Sequence, residues 1–175
     1  LPDAAFAARE GAMIKIVTDS TCNLTPEQLQ QYDIRVAPIT IQFGLPTYTE
    51  GVDLSLDLFY TKIEQLGILP STLPPSPAVF AGYYRELAAL GHSILVITIT
   101  QKHSGTFSSA LLAKDLVPEA DVEVFDSATI SLGTGYMVLE AARAAQVGQS
   151  RARILERLAE IRGRMSFLLT PDTLK

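Results

Sequence analysis

At 175 residues and 47% hydrophobic composition, the chain can bury a sizeable core, and its length fits one compact domain. Its formal net charge of -5, with no window that gathers lysine and arginine, excludes the basic stripe that a nucleic-acid backbone demands. The single cysteine, Cys22, excludes an internal disulfide or a cysteine-rich metal site and fits a cytoplasmic setting, and apolar stretches such as residues 94–99 fall far short of the roughly 20 residues of a membrane-spanning helix.

Residues 1–12 carry Asp3 and Glu10 with neither a basic start nor a long apolar run of the signal-peptide kind, and read as an upstream extension or vector-derived residues. Residues 14–17, apolar except for Lys15, predict a first strand that ends in the polar turn Thr18-Asp19-Ser20-Thr21. Thr25, Pro26 and Gln28 form the signature of a capped helix start: a hydroxyl N-cap, a proline where no amide is needed, and a capping-box glutamine. That short helix ends near Tyr32. Residues 34–43 are rich in β-branched side chains and predict a single second strand, followed by a loop with Gly44, Pro46 and Gly51. Behind Ser55, Leu56, Phe59, Ile63 and Leu66 recur at helical spacing, and Gly67 supplies the stop. Residues 68–77 hold four prolines and cannot be a helix interior.

Ser76 as cap and Pro77 as first residue open the next helix, with Phe80, Tyr84 and Leu87 on its apolar face and Gly91 at its end. Residues 94–99, apolar except for Thr98, predict the central strand of a parallel sheet covered on both faces. Residues 100–105 turn into a helix carrying Phe107, Ala110, Leu111 and Leu112, and residues 122–125 form the next strand, which ends in Asp126-Ser127. A long helix over 132–147 stops at Gly148, Ser150 caps another containing Ile154, Leu158 and Ile161, and residues 167–169 predict a last strand. The alternation predicts an α/β fold: a doubly wound, mostly parallel sheet with helices on both faces. Residues 171–175 begin a new capped segment and read as the start of a connection to a second lobe.

In open α/β sheets ligands lie beyond the carboxyl ends of the strands. Three polar turns should therefore share one edge: Asp19-Ser20-Thr21, Ser104-Gly105-Thr106 and Asp126-Ser127-Ala128-Thr129. The middle turn suits an anion, because Gly105 admits a close backbone approach and the helix that follows offers free amides and a partial positive charge. Ordinary N-capping by Ser104 or Thr106 is the competing explanation. A fourth hydroxyl-bearing loop, Thr72-Leu73-Pro74-Pro75-Ser76-Pro77, is stiffened by prolines; Ser76 has a capping role there, whereas Thr72 has no equally obvious structural task.

Asp19 and Asp126 lack the clustered oxygens that a hard cation needs, so no metal site is expected and turn stabilisation fits them better. Cys22 reads as a small buried thiol, since neither His92 nor His103 is placed to activate it. A serine hydrolase would need His103 to serve its neighbour Ser104, and the Gly-x-Ser-x-Gly elbow is absent. Gly133-Thr134-Gly135 matches no nucleotide motif and is better explained by close helix packing.

The segment Ile16-Val17-Thr18-Asp19-Ser20-Thr21-Cys22-Asn23-Leu24 resembles the opening of DegV-family proteins. The proline loop, the Ser104-Gly105-Thr106 turn and Phe125-Asp126-Ser127 resemble later landmarks of the same family in the same order, so the likeness covers nearly everything from Met13 onward. It implies the N-terminal α/β lobe of a bacterial fatty-acid-binding protein, spanning residues 13–170, that holds a long-chain fatty acid without catalysis and presents it to a partner acyl kinase. By motif match, Thr72 and Ser104 would bind the carboxylate, with Gly105, Thr106, Asp19, Ser20 and Ser127 as further head-group or loop contacts. No cofactor is implied beyond the bound acid. The sequence departs from the family's loop at Leu73 and Pro74, and His103 stands where a leucine is usual. An alternative within the same fold group is a phosphotransfer or kinase-type subunit using His103; a small serine hydrolase is a third reading.

Overall fold

The computed structural model describes residues 13–168 and 170. Its centre is a parallel sheet of four strands, β1 (Ile14–Asp19), β2 (Arg35–Ala37), β6 (Ser93–Thr98) and β7 (Val122–Asp126), in the order β2-β1-β6-β7. All six residues of β6 are buried, as expected of a central strand covered on both faces. The chain winds from β1 outward to β2, then returns to β6 on the other side of β1 and continues to β7. The direction of winding therefore reverses between β1 and β6, and the crevice beyond the carboxyl ends of these two strands is where such sheets bind ligands.

The pleat divides the apolar side chains between two layers. Val17, Ile94, Val96, Val122 and Val124 face α3 (Pro77–Ala89) and α4 (Thr106–Asp115), where Phe80, Tyr84, Leu87, Ala110 and Ala113 meet them. Ile16, Leu95, Ile97 and Phe125 face α5 (Leu132–Gln146) and α6 (Arg151–Arg164), whose Met137, Val138, Ile154 and Leu158 complete the second layer. The face that α4 turns inward is made of Thr106, Ser109, Ala110 and Ala113, while Leu111 and Leu112 point outward. Small inward residues let α4 approach α3 closely, and the buried Tyr84 hydroxyl donates to the Ala110 carbonyl oxygen at 3.0 Å.

Several local readings agree with the structure. Thr25 and Gln28 form the reciprocal capping box of α1 (Pro26–Gln31), and the hydroxyls of Ser55 and Ser150 accept amide bonds at the starts of α2 (Leu56–Leu66) and α6. Ser76 occupies the N-cap position of α3 without a side-chain capping bond.

Two strand predictions are corrected. Residues 34–43 are not one strand: Pro38 supplies no ladder donor, and beyond it the chain leaves the main sheet. Arg35–Ala37 stays with β1 as β2, whereas β3 (Thr40–Gln42) joins β4 (Thr47–Thr49) and β5 (Ser71–Leu73) in a small antiparallel sheet of order β4-β3-β5. Ile41, Phe43 and Leu54 are its buried core, with Phe59 and Ile63 of α2 packed against them. The predicted last strand also fails: Phe167 and Leu168 are irregular and exposed, Leu168 at 93%, and Leu169 lies outside the described residues. The readings of residues 1–12 and 171–175 likewise fall outside them.

Candidate functional site

The carboxyl edge of the parallel sheet gathers the polar turns. Strand β1 ends in Asp19, β6 in Thr98 and β7 in Asp126, paired across the sheet through Asp19 and Ala37 on one side and Thr98 and Asp126 on the other. From the end of β6 the backbone runs through residues 99–105 into α4.

Within that loop Ser104 and Thr106 form a compact hydroxyl pair. Their side-chain oxygens are 2.9 Å apart, and the Thr106 amide donates to Ser104 Oγ at 3.3 Å. Ser104 is half-buried, Thr106 is buried and Gly105 is exposed. Gly105 is the N-cap of α4 and supplies no capping side chain, so an external acceptor at this end meets amide donors and the positive pole of a ten-residue helix. Its φ of -74° is open to any residue; glycine matters here for space. A Cβ added at Gly105 would touch Pro74 Cγ at 3.4 Å. The proline loop is thus seated on the Ser104 turn.

Thr72 lies two residues before Pro74, on the edge strand β5, opposite Ile41 and exposed to solvent. Pro74 against Gly105 is the contact that brings the Thr72 loop to the Ser104 turn.

The remaining candidates have structural partners. Asp19 is 0% exposed: one carboxylate oxygen accepts from the Thr21 amide and hydroxyl, the other from the Ile99 amide at 2.8 Å. Burial pushes its carboxyl above the ordinary carboxylate value, against the pull of those hydrogen bonds. Ser20 Oγ accepts the Ile39 amide at 3.0 Å and so ties the β1 turn to the lead into the small sheet. Ser127 is 1% exposed, and its hydroxyl is held by the Thr129 backbone, accepting from the amide and donating to the carbonyl, and by the Thr134 hydroxyl, whose oxygen is 3.1 Å away. Asp19 and Ser127 are sealed from solvent and placed as loop supports, whereas Ser104, Gly105 and Thr72 face the accessible side.

The arrangement for a serine or cysteine nucleophile is not assembled among the described residues. The Ser104 hydroxyl is engaged by Thr106, while His103 is exposed in a turn closed by its amide on the Thr100 carbonyl. Cys22 is buried, and desolvation raises its pKa, which disfavours the thiolate. No cluster of three metal-ligating side chains occurs among the described residues.

One feature of this edge has no signal in the sequence pattern. Asn23 and Ser131 both hold positive φ, 53° and 56°, and are joined by a 2.8 Å bond from Asn23 Nδ2 to Ser131 Oγ. Asparagine tolerates that conformation; nothing in the residue type marks Ser131 for it. The Gly133-Thr134-Gly135 reading holds: a Cβ at Gly135 would stand 2.3 Å from the Cys22 carbonyl oxygen, so α5 rests directly on the β1 turn. Two grooves lie along α5 and α6, one of about 420 Å³ past Glu140, Arg153 and Arg157 and one of about 310 Å³ past Tyr136, Arg157 and Ile161, and none of their lining residues belongs to the polar turns.

Residues 13–175 match a family model described as an uncharacterised protein of the DegV family. A DegV domain-containing protein of Clostridium perfringens is 34% identical over 161 residues, covering 92% of this chain and 58% of that protein. Two solved structures share the fold. One, described as fatty acid binding of a DegV family protein from Thermus thermophilus, has a TM-score of 0.80 and 33% identity over 86% of this chain and 54% of that one. The other, a fatty acid (stearic acid)-binding protein from Eubacterium ventriosum, has a TM-score of 0.79 and 29% identity over 84% and 52%. The chain thus spans a little over half the length of these relatives. Among the described residues no helix is long and apolar enough to cross a membrane.

Proposed function

We propose that this chain, which belongs to the DegV family, binds a long-chain fatty acid by its carboxylate at the carboxyl edge of the parallel sheet. Ser104 and Thr72 supply the hydroxyl donors, and the start of α4 supplies amides and a favourable dipole. The observation that carries this reading is the seating of Pro74 on Gly105, which joins the two hydroxyl loops beside the β1–β6 switch point. Structures of the same fold described as fatty-acid-binding support the choice of anion.

The energetics divide the work between tail and head. Each methylene removed from water contributes on the order of 0.8 kcal/mol, so the tail supplies most of the affinity. Hydrogen bonds to a charged carboxylate contribute roughly 1.5 to 3 kcal/mol each, enough to fix orientation and to prefer an acid over an uncharged analogue. Hydroxyl donors also leave the carboxylate free of a covalent or buried cationic partner, which suits its transfer to a separate acyl kinase. On this reading the chain is a carrier lobe, residues 13–170, rather than a catalyst, and needs no cofactor. Native mass spectrometry of the protein at its full natural length, purified from cells supplied with fatty acid, tests it. A stoichiometric adduct with the mass of a long-chain fatty acid is expected; ligand-free protein at every lipid supply refutes it.

A further inference from the structure

We propose that Asp19 and Asp126 are positioning residues that fix the Ser104 hydroxyl by clamping the loop before it, one carboxylate from each strand that flanks β6. The inference rests on the reading of Ser104 as a carboxylate ligand, and it concerns residues that do not touch the acid.

Every amide from Ile99 to His103 has an assigned acceptor. Ile99 donates to Asp19 Oδ2 at 2.8 Å, Thr100 to the Thr129 carbonyl at 2.9 Å and Gln101 to Asp126 Oδ1 at 3.2 Å. Lys102 donates to Thr100 Oγ1 and His103 to the Thr100 carbonyl, both at 3.3 Å. The loop is over-determined immediately before Ser104, and two of its anchors are carboxylates at the ends of β1 and β7. No helix or strand ladder requires these bonds. Their combined effect is to hold a surface turn in one conformation, so that a ligand meets a hydroxyl that is already in place.

The chemistry of Asp19 is more demanding than that of an ordinary turn residue. It is 0% exposed, and no lysine or arginine among the described residues pairs with it. A buried carboxylate without a counter-cation is unfavourable unless its oxygens are filled by donors. Here both are filled, one by Ile99 and one by Thr21. An asparagine in its place has one acceptor oxygen: aimed at Thr21 it releases the Ile99 amide, and aimed at Ile99 it opposes its NH2 to the Thr21 amide that holds the side chain in place, so either orientation loosens the clamp. Asp126 differs: a single oxygen, Oδ1, accepts from both Gln101 and Ala128, at 3.2 and 3.0 Å. An asparagine there can keep both bonds.

This asymmetry sets the test. Affinities for a fatty acid and for the fatty alcohol of the same length are measured by calorimetry on the full natural-length protein. Amide hydrogen exchange is followed in the same variants. Asp19→Asn and Asp126→Ala should each lower the acid-over-alcohol ratio by about tenfold, the worth of one weakened charge-assisted bond. Exchange should quicken at residues 103–106 and not in α6, and Asp126→Asn should restore most of what Asp126→Ala loses. If Asp19→Asn does not fold, the Asp126 pair decides. A wild type that prefers the acid and loses that preference in Ser104→Ala, while Asp126→Ala and any folded Asp19→Asn keep it, overturns the positioning role alone. A wild type without preference for the acid overturns the head-group reading itself.

Discussion

Replacing Gly135 by alanine tests the packing that sets the site's edge. The new Cβ would stand 2.3 Å from the Cys22 carbonyl oxygen and 3.1 Å from Leu24 Cδ2. Non-bonded heavy atoms rest about 3.5 Å apart, so α5 and the turn after β1 must separate by roughly 1 Å. The obstructing atom is backbone, which cannot rotate away as a side chain can, so the overpacking cost falls at the upper end of its usual range, about 3 kcal/mol. Alanine's better helix propensity returns about 1 kcal/mol, for a net loss of about 2 kcal/mol. Gly82, inside α3, provides the control: a Cβ there meets nothing within 4 Å, so Gly82→Ala should gain about 1 kcal/mol from the same propensity term. The two variants should therefore differ by about 3 kcal/mol, which at roughly 2 to 4 °C per kcal/mol for a chain of this size separates their melting temperatures by about 6 to 12 °C. Thermal unfolding followed by circular dichroism reads the difference directly. Equal stability of Gly135→Ala and Gly82→Ala would refute the close approach of α5 to the β1 turn.

Three further outcomes are expected. Gly105→Ala should leave stability within about 0.5 kcal/mol, since φ is -74° and the Cβ meets Pro74 at an ordinary contact distance, yet it should weaken fatty-acid binding by standing between the two hydroxyl loops; chemical denaturation beside calorimetry separates the two effects. Tyr84→Phe should cost about 1 kcal/mol in urea unfolding, because the buried hydroxyl bond to Ala110 is lost while the ring remains. Asp33 is held below its ordinary carboxylate value of 3.8, first by its bond to Lys15 and then by Arg35. Its stabilising contribution is present above that value and is lost as pH falls through the lowered one. Asp33→Asn should thus lower stability by less than about 1 kcal/mol at neutral pH, as expected of an exposed and screened pair, and the gap to wild type should close under strong acid.

How much of this was legible in the sequence depends on the range of the interactions involved. The capping box at Thr25, the glycine stop at Gly67 and the buried run of β6 are local or periodic features, and each appears where its residues indicate. The small sheet is not local: its strands are three residues long, and β3 meets β5 across the whole of α2, so only Pro38 hinted that residues 34–43 divide. The site shows the same limit. A polar residue at a strand end can face a ligand or turn back to hold a loop, and residue type does not decide between them. Ser104 and Thr72 stay accessible, while Asp19 and Ser127 are sealed into hydrogen bonds with Ile99, Thr21, Thr129 and Thr134. Their placement follows from strand register and from which amides the neighbouring loops leave without a partner.

The most direct test of the account is the loss of carboxylate recognition when the two hydroxyls are removed. Ser104→Ala and Thr72→Val, compared with wild type by calorimetry on a fatty acid and its matching alcohol, should each weaken the acid by about 10- to 150-fold, the equivalent of one hydrogen bond to a charged group. Affinity for the alcohol should hardly move. Unchanged affinity of both variants for the acid would contradict the assignment of this loop pair as the head-group site.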